Sequence, residues 1–303
     1  MNQALSFDDV VLLPRSHNLE NLSRDNIDLK LYGTNTLPIM NAPMHSIINA
    51  QNCIEYHRAG VFTVVPFDVW LDVNVADKQE MLGGDSYIGI AVRFNQLEQY
   101  VAYLNELIPT WCSRGSSFRV LHFLDTANGH DMHRGREFMG RLVRSDLGIS
   151  SGEVVLGNIA TPQGIKSFNY LMQPKGVTPQ DTRFTTPMIP SIWRVGIGCG
   201  GACLTTVNTG IGMPTLQSVM DCSTAKGTML IADGGMKTPG DVCKALRLGA
   251  SFAMLGSYFS GCVGTDSTFY GEASALAKGH KKYVQGAEIP VTFLKLITPC
   301  LLF

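Results

Sequence analysis

The sequence predicts an α/β fold, a single parallel (β/α)8 barrel. Three observations carry this expectation. Apolar segments bounded by Gly, Pro or Asp recur eight times along 303 residues, helix-like stretches follow most of them, and small polar residues gather after the later segments. Alternating strands and helices imply parallel pairing, because parallel strands need a long crossover. Eight repeats favour closure into a barrel over an open sheet.

The candidate strands are 37–43, 61–67, 87–92, 119–126, 153–159, 192–198, 228–234 and 251–257. The candidate helices are 47–59, 96–107, 132–147, 162–172, 214–226 and 239–248. Segment 173–190 is rich in Pro and Thr and is predicted to be a long loop before the sixth strand. After the eighth strand comes a Gly-rich polar stretch and then the apolar ITPCLLF. A full eighth helix finds no room there, so it reads as truncated, and 258–290 reads as a mobile flap over the mouth. Residues 1–303 are expected to form one domain.

Composition narrows the function classes. A net charge of −1 leaves no electrostatic footprint for nucleic acid or an anionic membrane. No apolar run approaches the roughly 18 residues of a membrane span. The start, MNQALSFDDVVLLP, has no basic region followed by an apolar one, so a cytoplasmic location is expected. The eight cysteines, Cys53, Cys112, Cys199, Cys203, Cys222, Cys243, Cys262 and Cys300, fall mostly in apolar runs and form no CxxC pair. Reduced, buried thiols are therefore expected rather than disulfides or a zinc knuckle.

In such a barrel, chemistry sits at the C-terminal ends of the strands. LDTANGH follows the fourth strand, GNIAT ends the fifth, GIGCGGACLTT follows the sixth, IADGG ends the seventh and MLGS the eighth. Cys203 lies on the glycine-rich loop of Gly196, Gly198, Gly200 and Gly201, where a thiol is accessible as a nucleophile. It also fits a structural cysteine on a tight turn, and Cys199 competes for the role. Gly234, Gly235, Gly256 and Ser257 close neighbouring strands, suiting either a phosphate or plain turn geometry. Asp233 suits a ribose diol or a helix cap. His130 and His133 flank Asp131, but no third ligand cluster supports a metal site. The basic run 278–283 is a solvated segment, or a place where His280, Lys281 and Lys282 meet a cofactor phosphate.

Taken in order, LSFDDVVLLP, LPIMNAPMHSI, DTANGH, GNIATPQG, VGIGCGGACLTT, TGIGMP, IADGGMKTPGDVCKAL and MLGS resemble the IMP dehydrogenase/GMP reductase family through most of the chain. Segment 61–67 runs on to Tyr87 with no room for the regulatory insert usual in the dehydrogenases. FYG at 269–271, Ser23–Arg24 followed by IDL, and KTPGD resemble the reductases, DTANGH is intermediate, and GNIATPQG and MLGS resemble the dehydrogenases. The resemblance implies a GMP reductase-like oxidoreductase. NADPH would reductively deaminate GMP to IMP and ammonia through a covalent thioimidate on Cys203. The alternatives are an IMP dehydrogenase using NAD, which makes XMP, or a degenerate barrel that binds a nucleotide without turnover.

The same resemblance implies the remaining roles. Thr205 would move protons with Glu288 as partner. Asp233, Gly234, Gly235, Gly256 and Ser257 would hold ribose and phosphate, with Gly271, Glu272 and Ala273 against the base. Ser23, Arg24, Asp125, Thr126, Ala127, Ile197 and Gly198 would meet the cofactor. Backbone carbonyls of Gly198, Gly200 and Cys203 would hold potassium, and the chains would form a homotetramer. Against the family pattern, Gly201 replaces a serine, Thr206 an arginine, Glu272 a methionine, and Pro66, Phe67 and Asp68 a His-Lys-His segment.

Overall fold

The computed structural model describes residues 3–13, 30–31, 34–83, 86–112, 120–143, 149, 153–172, 191–200, 205–259 and 262. Eight parallel strands form one sheet: β1 (Ile39–Asn41), β2 (Thr63–Pro66), β3 (Ile88–Arg93), β4 (Val120–Asp125), β5 (Val154–Ile159), β6 (Ile192–Val195), β7 (Met229–Asp233) and β8 (Phe252–Leu255). The order β1-β8-β7-β6-β5-β4-β3-β2 brings the two end strands together. The expected (β/α)8 barrel is the observed fold, and each predicted strand overlaps an observed one, with β3 running one residue past its predicted end at Val92. The predicted loop 173–190 lies outside the described residues, as does most of the predicted flap 258–290.

Closure between β1 and β2 combines backbone bonds, Phe62 N–H to the Ile39 carbonyl and Leu37 N–H to the Gly60 carbonyl, with one side chain. Only a single bridge, Met40 with Phe62, joins β1 to β2. Asn41 supplies the missing ladder. Its Nδ2 donates to the Val64 carbonyl at 2.8 Å, and its Oδ1 accepts from the Val64 N–H at 2.8 Å. A side-chain amide thus imitates a strand backbone where two short strands meet.

Residues alternate between the lumen and the helix layer, as strand geometry requires. Met40, Ala42, Phe62, Val64, Ala91, Leu121, Phe123, Val155, Ile192, Ile231, Phe252 and Met254 form the inner cluster. Gly89 makes room within it, because a Cβ there would lie 2.6 Å from the Phe123 ring. Leu31 and Tyr87 pack against this cluster at the N-terminal end of the strands. The inner cluster therefore plugs one end, and the polar residues that continue the same alternation fall at the other.

The helix layer comprises α1 (Cys53–Arg58), α2 (Phe67–Asp72), α3 (Val75–Gly83), α4 (Leu97–Cys112), α5 (Met132–Val143), α6 (Pro162–Met172), α7 (Thr205–Thr209), α8 (Thr215–Cys222) and α9 (Pro239–Arg247). Helix α1 starts later than its periodicity predicts. Asn49 and Asn52 exchange side-chain bonds with each other's backbone N–H groups, an alternative to helix that these residues often take. Helices α2 and α3 were not anticipated, because Val69, Val73 and Val75 blur the helical period. The overlooked signal is Asn74, whose Oδ1 accepts the Asp77 N–H at 2.9 Å and caps α3. Cys53, Cys199, Cys222 and Cys262 are free thiols, but Cys243 is disulfide-bonded, which corrects the expectation of reduced cysteines throughout.

His122 on β4 faces the helix layer, and its Nδ1 lies 2.6 Å from the buried Tyr100 hydroxyl of α4. Burial pushes its pKa down from 6.5 to about 4. The unfolded chain therefore takes up this proton first as pH falls. Neutral His122 contributes stability above pH 6.5 that is lost progressively towards pH 4, about 3 kcal/mol at 1.36 kcal/mol per pH unit. His122→Gln keeps an acceptor for Tyr100 but removes the titrating group. Denaturant melts across this range should show a shallower loss of stability in the variant, and equal slopes would contradict the account.

Candidate active site

The strand alternation that fills the lumen places four charged residues at its C-terminal mouth. Arg93 ends β3, Asp125 ends β4, Arg194 lies on β6 and Asp233 ends β7, each in step with the inner cluster. Arg194 is the centre of the group. Its Nε donates to Asp233 Oδ2 at 2.9 Å, and its Nη1 donates to Asp125 Oδ1 at 2.9 Å. The Arg194 side chain is 11% exposed, Asp233 15% and Asp125 29%. Burial works against the charged guanidinium, but Asp233 and Asp125 outweigh it and raise the Arg194 pKa above its ordinary value. Within the hydrogen-bonded triad two carboxylates face one guanidinium, and with Arg93 the four charged residues of the mouth sum to zero.

Asn158 on β5 reinforces the arrangement. Its Nδ2 donates to Asp233 Oδ2 at 2.6 Å and to the Gly196 carbonyl at 2.8 Å. Both bonds described at Asp233 thus fall on Oδ2, and Oδ1 is the oxygen left to meet a ligand. Thr215, at the start of α8, also donates to the Asp233 carbonyl at 3.2 Å.

Two glycines make the space. Gly157 has φ +150°, and a Cβ there would overlap the Arg194 carbonyl oxygen and lie 2.6 Å from the Arg194 Cβ. Gly196 has φ +142°, and a Cβ there would overlap the Asp233 carbonyl oxygen. The strand ends of β5, β6 and β7 approach one another more closely than any side chain allows.

Beside this group the β6 and β7 loops touch. A Cβ on Gly234 would lie 3.0 Å from the Gly200 nitrogen, and one on Gly235 would lie 3.4 Å from the Cys199 Cβ. The Cys199 thiol lies 2.7 Å from the Met213 carbonyl, so this cysteine is tied into the loop as a structural group. Gly256, after β8, faces Met44 and Ile47 beyond β1, with the exposed Ser257 following it. Thr205 begins α7, and Thr206 Oγ1 sits 3.2 Å from the Gly198 carbonyl. A potassium ion at Gly198 would share that carbonyl with Thr206, and no chemical step is assigned to it.

The start of α9 is already capped. Thr238 Oγ1 accepts the Asp241 N–H at 3.2 Å, and Asp241 Oδ2 accepts the N–H groups of Lys237 and Thr238 at 2.9 Å each.

A second cluster rims the mouth at β1–β3. His45 Nε2 lies 3.0 Å from Asp68 Oδ2, with Arg93 Nη1 at 3.9 Å. Burial raises the Asp68 pKa, but His45 and Arg93 outweigh it and hold it below the usual value. Near the β4 loop, His130 Nε2 accepts the Ala160 N–H at 3.2 Å, a structural use. No group of three or more His, Cys, Asp or Glu side chains that could hold a metal ion occurs among the described residues.

Of the expected site residues, Asp125, Thr126, Ala127, Ile197, Gly198, Gly200, Thr205, Asp233, Gly234, Gly235, Gly256 and Ser257 follow strands β4, β6, β7 and β8 on one face of the barrel. Cys203, Gly271, Glu272, Ala273, Glu288, Ser23 and Arg24 lie outside the described residues. The sequence reading missed Arg194, Asn158 and the His45–Asp68–Arg93 cluster. For Arg194 the signal was present: an arginine at an inward position of the apolar strand Ile192–Val195.

Fold and mouth define a (β/α)8 barrel with a polar site at the strand C-termini. The chain belongs to the IMP dehydrogenase/GMP reductase family of oxidoreductases. The model of the IMP dehydrogenase / GMP reductase domain matches residues 120–284, which includes β4 through β8. Among its relatives, the GMP reductase of Bacillus subtilis (strain 168) is 27% identical over 308 residues, covering 96% of this chain and 85% of the relative. The GMP reductase of Mesoplasma florum is 26% identical over 301 residues, covering 93% and 84%. That of Variovorax paradoxus (strain S110) is 27% identical over 305 residues, covering 95% and 83%. Among the described residues, no helix is long and apolar enough to cross a membrane.

Gly157→Ala tests the packing beneath the site. The new methyl group meets Arg194 in a backbone conformation that alanine resists, at a cost of about 2 kcal/mol or more. Urea denaturation should show that loss, and unchanged stability would contradict it.

Proposed function

We propose that this protein is a GMP reductase-type enzyme, converting GMP to IMP and ammonia with NADPH. The observation that carries the reading is the anchored Asp233, held by Arg194 and Asn158 beside loop amides at the mouth. A ribose needs a fixed carboxylate acceptor, and its phosphate needs donors away from that carboxylate. Asp233 Oδ1 offers the first. The Gly234–Gly235 turn and the Gly256–Ser257 turn offer the second. The GMP reductases similar to this chain over nearly its whole length support the choice of nucleotide.

In this reading the Cys203 thiolate attacks carbon 2 of the purine. The exocyclic amino group takes up a proton and leaves as ammonia, giving a thioimidate. The cofactor, when bound, supplies the hydride to that carbon, and the carbon–sulfur bond breaks to return the thiolate and release IMP. Thr205, with Glu288, delivers the proton to the departing nitrogen. Asp125, Thr126 and Ala127 line the cofactor side together with Ile197 and Gly198, with Ser23 and Arg24 contributing from the N-terminal segment. Gly271, Glu272 and Ala273 cover the base. Covalent catalysis is the expected use of a thiol on such a loop, while ribose and phosphate contacts hold the ground state. The same reading carries a homotetramer, for which light scattering is the check, and a stable monomer at micromolar concentration would contradict it.

Incubation with GMP and NADPH should consume the reduced cofactor, whereas IMP with NAD should not generate it. The opposite pattern would assign the dehydrogenase reaction instead. Cys203→Ala should lower kcat by at least ~10³-fold while nucleotide affinity changes only a few-fold. Turnover near the wild-type rate in that variant would remove Cys203 from the mechanism.

A further inference from the structure

We propose that Arg194 is a positioning residue that couples the nucleotide and cofactor halves of the mouth. The inference rests on the functional reading above, which puts a ribose on Asp233 and the cofactor beside Asp125. What it adds is that the two halves share one guanidinium. Nε holds Asp233 and Nη1 holds Asp125, each at 2.9 Å, and the side chain is nearly buried. The guanidinium is planar and its donors are fixed relative to one another. The orientation of one carboxylate therefore sets that of the other.

Asn158 provides a second link between the same two places. Its side chain holds Asp233, while its backbone N–H donates to the Thr126 carbonyl at 3.1 Å and its carbonyl accepts the Gly129 N–H at 2.8 Å. Thr126 and Gly129 belong to the loop that follows Asp125. The β4 and β7 ends are thus joined twice, once through Arg194 and once through Asn158. Gly157 and Gly196 allow that closeness.

The thermodynamic consequence is reciprocal. A ribose donating to Asp233 Oδ1 immobilises that carboxylate and, through Arg194, Asp125. The cofactor then meets a carboxylate whose ordering cost is already met, so it binds more tightly. By linkage the cofactor must tighten the nucleotide by the same factor. Lysine retains the positive charge but presents one point donor, which cannot hold two carboxylates in a fixed relation.

The test measures equilibrium binding with GMP and NADP+, a pair with no hydride to transfer. In the wild type, saturating NADP+ should tighten GMP at least about fivefold, and the converse titration should give the same factor. In Arg194→Lys, with folding verified by a cooperative melt, that factor should fall to about twofold or less. Asp125→Asn is the second variant, isosteric and on the cofactor side. It should weaken GMP binding in the absence of any cofactor, although the guanidinium separates it from Asp233. A wild type without coupling, an Arg194→Lys protein with coupling intact, or an Asp125→Asn protein with unchanged GMP affinity each overturns the inference alone. Wild-type protein that binds neither GMP nor IMP overturns the functional reading and this inference with it.

Discussion

The ion triad of Arg194, Asp125 and Asp233 is the interaction around which the mouth of this barrel is arranged. Burying three charges is costly unless each is paired and hydrogen-bonded, and here the bonds converge on single atoms. Removing the arginine would leave two buried carboxylates facing each other. The surrounding backbone is shaped to prevent that. Gly157 and Gly196 bring the strand ends close, Asn158 adds an amide donor, and Thr215 holds the backbone of Asp233. The triad stabilises little by itself. Its effect is to tie the orientations of the two carboxylates to each other at the open end of the barrel.

That arrangement is set among further polar groups at the mouth. At the start of α9, Thr238 accepts the Asp241 N–H, and Asp241 accepts the N–H groups of Lys237 and Thr238. The rim at β1–β3 carries His45, Asp68 and Arg93, with Asp68 lying between the other two side chains. The overall charge of −1 gives no hint of this pattern, because it resides in a few positions at one end of the barrel.

Much of the fold was legible because strand and helix periods differ and punctuation by Gly, Pro and Asp is strong. The eight strands follow from that contrast. What escaped detection has physical reasons. Helices α2 and α3 contain valines that weaken the helical pattern, and α1 is delayed by asparagines that take up their own backbone donors. At the site, Asp233 and the glycine turns announce themselves by composition. Arg194 and Asn158 do not, since their importance comes from which way a strand position faces. An arginine flanked by Trp193 and Val195 reads as an interruption of an apolar run until the register with Ile192 places it inside. The cysteine loop is recognisable by its residues alone, and its chemistry is argued from the family rather than from the barrel.

A crystal structure with a purine nucleotide bound measures the central claim most directly. The account predicts a ribose hydroxyl within roughly 3 Å of Asp233 Oδ1, while Oδ2 keeps its bonds to Arg194 and Asn158. The phosphate should lie on the amides of the Gly234–Gly235 and Gly256–Ser257 turns. A nucleotide bound away from the mouth, or one whose phosphate draws Arg194 off the two carboxylates, would contradict it.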